Sequence, residues 1–254
     1  MDPAGTNRDV SSGKSPMTTR GPAWLARIPR PIRSGHRGAA GLVAANTLAS
    51  YEEAIRLGCD LVEMDVQPTA DGVLVLHHDK EVQIDGTSRL VGALTLHELR
   101  TRGAGEVPTL AEALDHLRDR AIPLLDLKGI GFEGQLGATV RRAGVRRAIV
   151  CGTPLASLQA THAANSDIAT SLTLDGRELA VIDEEAIAAV PTHAVTVSFR
   201  RLTAATIGLF HDQGITVIAW TVDAPAAMQD LVARGVDGIT TNRPDVLVAL
   251  FPRE

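Results

Sequence analysis

The chain has 254 residues, 44% of them hydrophobic and 22% charged, with a formal net charge of −5. That length accommodates one large α/β domain or two small ones around a sizeable buried core, and an acidic balance without a basic stripe argues against nucleic acid as a partner. Aromatic residues make up only 3%, so the core must come from Ala, Val, Leu and Ile, and the two widely separated cysteines, Cys59 and Cys151, read as reduced core thiols of a cytoplasmic protein.

Residues 1–31 are rich in Pro, Gly, Ser, Thr and Arg and hold no apolar run long enough for a signal peptide or a membrane span. They read as a flexible tail in which Met17 offers an alternative start. Ile32–Gly35 is a short strand running into His36-Arg37-Gly38, where Gly35, Gly38 and Gly41 permit a tight loop that brings backbone close to a ligand. On its own, His36 is equally a loop histidine and Arg37 a surface charge. A helix starts at Asn46 or Thr47 as N-cap, buries Leu48, Tyr51 and Ile55, and stops at Gly58.

The stretch Leu61–Lys80 carries the chemistry. In an extended strand Glu63 and Asp65 share one face while Val62, Met64 and Val66 share the other. Paired carboxylates are tolerated if solvated, if one is protonated, or if a cation lies between them. Asp71-Gly72 turns the chain into a second apolar strand, Val73–Leu76, which ends in His77-His78-Asp79. The hairpin brings imidazoles towards the end of the carboxylate strand, a candidate metal site with an acid–base group beside it. A solvated sheet face and a polar turn are the plain alternatives.

Beyond the hairpin, Asp85-Gly86-Thr87 forms a turn, Thr95–Glu98 resembles a capping box, and Pro108-Thr109-Leu110 opens a helix to about Arg120. Strands and helices then alternate. Strands are expected at 122–127, 148–151, 168–173, 194–199, 215–222 and 238–240. Helices are expected at about 132–143, 155–164, 184–190, 203–213, 225–233 and from 244. Asp126 and Lys128, one of only three lysines, share a face at the end of the first of these strands. Eight strand–helix units in parallel with right-handed crossovers fit a closed (β/α)8 barrel, usually about 250 residues, with a doubly wound open sheet as the alternative. In a barrel, His36, Arg37, Glu63, Asp65, Asp126, Lys128 and Trp220 all fall at the carboxyl ends of strands, where such folds bind ligands.

In this order and spacing the chain resembles the glycerophosphodiester phosphodiesterase family. The matching segments are GHRG at 35–38, the run 46–79 from NTLASYEEA to VLHHD, GTSRLVGALTLHELR at 86–100, VPTLAEALD at 107–115, PLLDLK at 123–128, VIAWTVD at 217–223 and GVDGITTNRPD at 235–245. The resemblance implies a TIM-type barrel over 32–254 with a small insertion after its second strand, about 68–108. It implies catalytic histidines at His36 and His78, with His77 the variable neighbour. It places metal ligands on Glu63, Asp65 and Asp126, phosphate contacts on Arg37 and Lys128, and Trp220 on the glycerol or leaving-group side. The cofactor is a divalent cation, Mg²⁺ or Ca²⁺ with Mn²⁺ as a further option, since an all-oxygen set favours hard ions.

The implied reaction is hydrolysis of a small-molecule glycerophosphodiester to sn-glycerol 3-phosphate and an alcohol, in glycerol and lipid metabolism, by two-histidine general acid–base catalysis; the resemblance does not divide the two roles, and we take His36 as the base and His78 as the acid. A phospholipase D-like lyase forming cyclic phosphates and a non-catalytic phosphodiester-binding barrel are the alternatives. Four positions, in three places, depart from the family pattern. Ala44-Ala45 stand where Pro-Glu is usual, Asp126 where Glu is usual, and Asn242 where Asp is common before Arg-Pro. His97, His116, His162, His193 and His211 are expected to be structural.

Overall fold

A computed structural model of the chain describes residues 21–103, 105–152, 154–175 and 192–253. The first barrel strand, β1 (Ile32–Gly35), leads through the GHRG loop to a helix at Leu48–Leu57. Thr47 is its N-cap, accepting from Ser50 N, and Gly58 in the left-handed conformation is its C-cap. β2 (Leu61–Pro68) follows and folds back on itself through a turn pinned by Thr69 into β3 (Leu74–Leu76), pairing Val66 with Leu76.

A second hairpin, β4 (Glu81–Ile84) and β5 (Thr87–Leu90), turns at Asp85-Gly86 with both residues at positive φ, as a tight two-residue turn requires. With the helix Leu96–Arg102 it buries Val75, Val82, Ile84, Val91, Leu94, Leu99 and Val107 in a small core of its own. This insertion stands over the carboxyl end of β2. Thr95–Glu98 and Thr109–Glu112 both form complete capping boxes. The helix begun at Leu110 ends at Leu117, because Arg118 leaves the helical conformation and Asp119 takes a positive φ.

The remaining strands are β6 (Ile122–Leu127), β7 (Ile149–Gly152), β8 (Ala169–Leu174), β9 (Ala194–Ser198), β10 (Thr216–Trp220) and β11 (Gly238–Thr241). β1, β2 and β6 to β11 run parallel, and β1 pairs with both β11 and β2, so the sheet closes into an eight-stranded barrel. Helices Glu133–Arg142, Leu155–Ala164, Ala204–Asp212, Pro225–Ala233 and Pro244–Leu250 pack outside it. The helix expected at 184–190 lies outside the described residues.

Outward-facing Val62, Met64 and Val66 meet Leu110, Leu114 and Leu117, and outward Val195, Val197, Val217 and Ile239 meet Ile207, Phe210, Leu231 and Leu247. Each such side chain contributes roughly 1.5–3 kcal/mol on burial. The barrel floor is apolar: Ile32, Leu61, Ile122, Ile149 and Ile218 converge there with Leu25 and Ile28. The tail expected through residue 31 is therefore corrected for 21–31. A turn of helix at Ala23–Ala26 drives Leu25 and Ile28 into the floor, where they are 2% and 7% exposed. No helix among the described residues is long and apolar enough to cross a membrane.

Candidate active site

Parallel register assembles the carboxylates. β2 and β6 lie side by side with Asp65 opposite Asp126, and β7 places Cys151 opposite Asp126. Glu63 and Asp65 point inward from β2, opposite to the face that carries Val62, Met64 and Val66. One oxygen from each of Glu63, Asp65 and Asp126 lies within 4.8 Å of the other two. Glu63 and Asp65 are 6% and 1% exposed, so these are not the solvated acids of an ordinary sheet face.

Cations and dipoles balance this cluster unevenly. Lys128 Nζ lies 2.8 Å from Asp65 Oδ1 and also bonds Asp126. Arg37 Nε is 3.1 Å from Asp65 Oδ2. Burial works against the Asp65 carboxylate, yet Lys128, Asn46 and Arg37 together hold it below the usual range. Glu63 fares differently: burial, then the charges of Asp65 and Asp126, push its carboxyl well above the ordinary value. Burial also raises Asp126. Burial opposes the Lys128 charge, but Asp126 and Asp65 prevail and shift it upward. Glu63 and Asp65, buried, and Asp126, partly buried, face only Lys128 and Arg37 among the described residues, so full ionisation of all three carboxyls calls for a further positive charge, and an all-oxygen set suits a hard divalent cation.

The loop after β1 holds the next two groups. Gly38 sits at φ +83, and a Cβ there would come within 2.6 Å of Ser50 backbone and side-chain atoms, so the loop closes tightly on the helix N-terminus. Arg37 itself takes φ 49, a conformation costing an ordinary residue about 1–2 kcal/mol. In return its N–H donates to Glu63 Oε2 at 2.7 Å.

His36 Nε2 lies 3.9 Å from the same Glu63 oxygen. Its Nδ1 is 2.7 Å from Asn242 Oδ1. Asn242 is fixed in turn, since its Nδ2 and backbone N–H both donate to Asp223 at 2.8 Å. The amide oxygen is thereby presented to His36, which must donate from Nδ1 and keep a lone pair on Nε2. Burial lowers the His36 basicity and favours the neutral ring; the Asn242 bond opposes this, and Arg37 adds to it.

His78 comes from the turn after β3. Gln67 Nε2 donates to the carbonyls of His77 and Asp79 at 2.6 and 2.9 Å and so locks that turn over β2. Asp79 Oδ1 accepts from His78 Nδ1 at 2.7 Å. His78 shares a cavity of about 320 Å³ with His36, Arg37, the three carboxylates, Lys128 and Trp220. His77 lies outside that cavity and bonds the Asp79 carbonyl through Nδ1 at 2.9 Å. The other histidines lie elsewhere: His97 is exposed on the Leu96–Arg102 helix, His116 pairs with Glu52, His211 with Asp237, and His162 lies beside His193.

Several supporting groups escape a reading of the sequence. Asn46, read there as a candidate N-cap, instead donates to Asp65 Oδ2 at 2.7 Å and accepts from Tyr51 OH, from a backbone at φ 56. Asp223 and Asn242 as a relay to His36, and Cys151, whose thiol faces Asp126 at 3.6 Å, were not anticipated either. A positive-φ asparagine leaves only the Asn-Thr dipeptide as its signal.

Residues 36–246 match the model of the glycerophosphoryl diester phosphodiesterase family. A glycerophosphodiester phosphodiesterase of Bacillus subtilis is 26% identical over 266 residues, covering 91% of this chain and 90% of the relative. The crystal structure of a glycerophosphodiester phosphodiesterase from Agrobacterium tumefaciens superposes with a TM-score of 0.72 at 25% identity, covering 85% of this chain and 98% of that one. An Oleispira antarctica phosphodiesterase shares the fold with a TM-score of 0.78 at 20% identity, over 90% of this chain and 99% of its own. With the match running from the first histidine of the cavity to beyond the asparagine that orients it, the chain belongs to the glycerophosphoryl diester phosphodiesterase family.

Proposed function

We propose that the protein hydrolyses glycerophosphodiesters to sn-glycerol 3-phosphate and an alcohol, using a divalent cation and two histidines. The observation that carries this reading is the meeting of Glu63, Asp65 and Asp126 within reach of one ion, in a cavity that also holds His36 and His78. The Oleispira antarctica protein, whose structure contains the product sn-glycerol-3-phosphate, supports the choice of substrate. Two buried free cysteines fit a cytoplasmic setting.

Glu63, Asp65 and Asp126 would hold the ion, which when bound neutralises phosphate charge and polarises the P–O bond. Lys128 adds a point charge and Arg37 a planar fork for the phosphate oxygens. His36, neutral with its Nε2 lone pair free, takes the proton from the attacking oxygen. His78, held by Asp79, hands a proton to the departing alkoxide. One P–O bond forms, one breaks, and the two imidazoles return to their starting states by exchange with solvent. Acid–base help of this kind is worth about 10²–10⁴-fold.

The test is a turnover screen of glycerophosphocholine with Mg²⁺, Ca²⁺ and Mn²⁺, reading released glycerol 3-phosphate. Metal-dependent release that His36→Ala abolishes is the expected result. Absence of release across several head groups would sink the proposal, and phosphorus NMR showing a cyclic phosphate as the end product would replace it with a lyase.

A further inference from the structure

The amino ends of the barrel strands, opposite the catalytic mouth, carry a cavity that the chemistry above leaves unused. It has a volume of about 400 Å³ and is lined by Trp24, Arg27, Arg120 and Arg147, with Asp60 the one acidic side chain on its wall. Trp24 and Arg27 come from the turn of helix that plugs the floor. Asp60 precedes β2, Arg120 precedes β6 and Arg147 precedes β7, three strands that pair side by side.

The wall is positive in a chain whose net charge is −5. Arg27 and Arg147 are exposed and have no hydrogen-bond or ion-pair partner among the described residues. Arg120 is held in place: its Nη1 donates to Glu52 at 3.1 Å and its Nη2 to the His116 carbonyl at 2.7 Å. Glu52 is shared, since His116 Nε2 and Arg120 Nη2 both lie 2.9 Å from its Oε2. Asp60 does not neutralise the wall, because its Oδ2 is taken by Arg253 Nη2 at 2.7 Å and by the Arg33 backbone N–H at 2.8 Å.

Packing does not explain this set. Leu25 and Ile28 fill the floor, whereas Arg27 stays exposed and Trp24 is only partly buried. Guanidinium groups around one cavity repel each other, a cost that an anion removes. Their planar forks suit phosphate oxygens, and an indole offers a plane on which a heteroaromatic ring stacks. A bare phosphate would fill a small part of a cavity this size, which is in the range of sites for small organic ligands, and would leave Trp24 without a partner.

We propose that this cavity binds a nucleoside phosphate, with Arg27, Arg120 and Arg147 on the phosphate groups and Trp24 stacked on the base. The site lies at the far end of the strands from Glu63, Asp65 and Asp126 and does not depend on the hydrolytic reading. A ligand that bridges Arg27 to Arg147 ties the N-terminal plug to the start of β7, so occupancy stabilises the fold while the catalytic cavity stays free.

The experiment is calorimetric titration of the full chain with ADP, pyrophosphate and adenosine, all in chelator. ADP should bind more tightly than either of its parts. Arg27→Glu combined with Arg147→Glu should weaken ADP and pyrophosphate at least ten-fold and leave the ligand-free melting temperature unchanged, because neither side chain has a partner to lose. Arg27→Gln alone, which reverses no charge, should still weaken ADP several-fold. Trp24→Leu should weaken ADP roughly ten-fold and leave pyrophosphate binding as it was. ADP should raise the melting temperature of the wild type and not that of the double variant. Lys128→Ala, in the catalytic cavity, should alter none of this. Absence of ADP binding up to millimolar concentration overturns the site, and so does binding that survives the double variant but is lost in Lys128→Ala, which would put the nucleotide in the catalytic cavity. Equal affinities for ADP and pyrophosphate, with Trp24→Leu without effect, overturn the assignment to a nucleoside phosphate.

Discussion

Glu63→Gln separates the cost of the acidic cluster from its use. Glu63 is buried, with oxygens of Asp65 and Asp126 within 4.8 Å. Two unit charges at that spacing repel by about 3.5 kcal/mol at an effective dielectric of about 20. Burial first, and then this repulsion, favour the protonated form of Glu63 in the folded protein without cation and raise its carboxyl well above the ordinary 4.5. The unfolded chain gives up the same proton near 4.5. Above that pH the folded state holds one proton more, so metal-free stability must fall as pH rises, by up to about 1.4 kcal/mol per pH unit, until Glu63 ionises in the folded state as well.

Glutamine removes this slope yet can still accept the Arg37 N–H. Metal-free Glu63→Gln should therefore match the wild type near pH 4.5 and outlast it increasingly above, by roughly 2–5 °C in melting temperature per pH unit. Added Mg²⁺ should reverse the order. At a hundred times its dissociation constant a bound ion stabilises the wild type by about 2.7 kcal/mol, and the variant should gain little. The assay is thermal unfolding from pH 5 to 8 with chelator and with Mg²⁺. Parallel curves for the two proteins in chelator, or an equal Mg²⁺-induced rise in both, would refute the reasoning.

His36→Gln should cost about 10²–10⁴-fold in kcat while the cation-induced rise in melting temperature persists, checked by kinetics and melting on one preparation. Because burial keeps His36 below its ordinary 6.5, kcat/KM should climb with pH and level off with a midpoint under 6.5. The folded protein binds fewer protons than the unfolded chain through that window, so this group's contribution to stability rises there too and is lost in more acid solution. Asn242→Ala should lower kcat about ten-fold with the cation response intact, the loss of one orienting hydrogen bond. Asn46→Ala should weaken Mg²⁺ binding about 10–100-fold by calorimetry, since it frees an oxygen of Asp65 that the cluster needs held in place.

How much of this was legible depended on the range of the interaction. Alternation along Leu61–Val66 separated the two carboxylates from the core face, because a strand's period is two and needs no partner to be read. The caps at Thr95 and Thr109 were legible for the same local reason. The register that sets Asp65 beside Asp126 was not, since nothing in either strand states its neighbour. The Asn242–His36 bond spans 206 positions, and a lone Asn-Arg-Pro gives no hint of it. Trp24-Leu25 and Ile28 were a readable apolar signal within a Pro- and Arg-rich stretch, but composition outweighed it.

His36 leaves the first strand of the barrel, and the asparagine that sets its tautomer follows the last. Their bond crosses the join between the two ends of the chain, where Arg253 also reaches back to the carbonyls of Pro29, Arg30 and Pro31. The orientation of His36 thereby depends on both ends of the chain being in place. A chain still emerging from the ribosome, or one shortened ahead of residue 242, lacks the Asn242 oxygen that holds His36, so the geometry on which the proposed acid–base step rests exists only once the circle is completed.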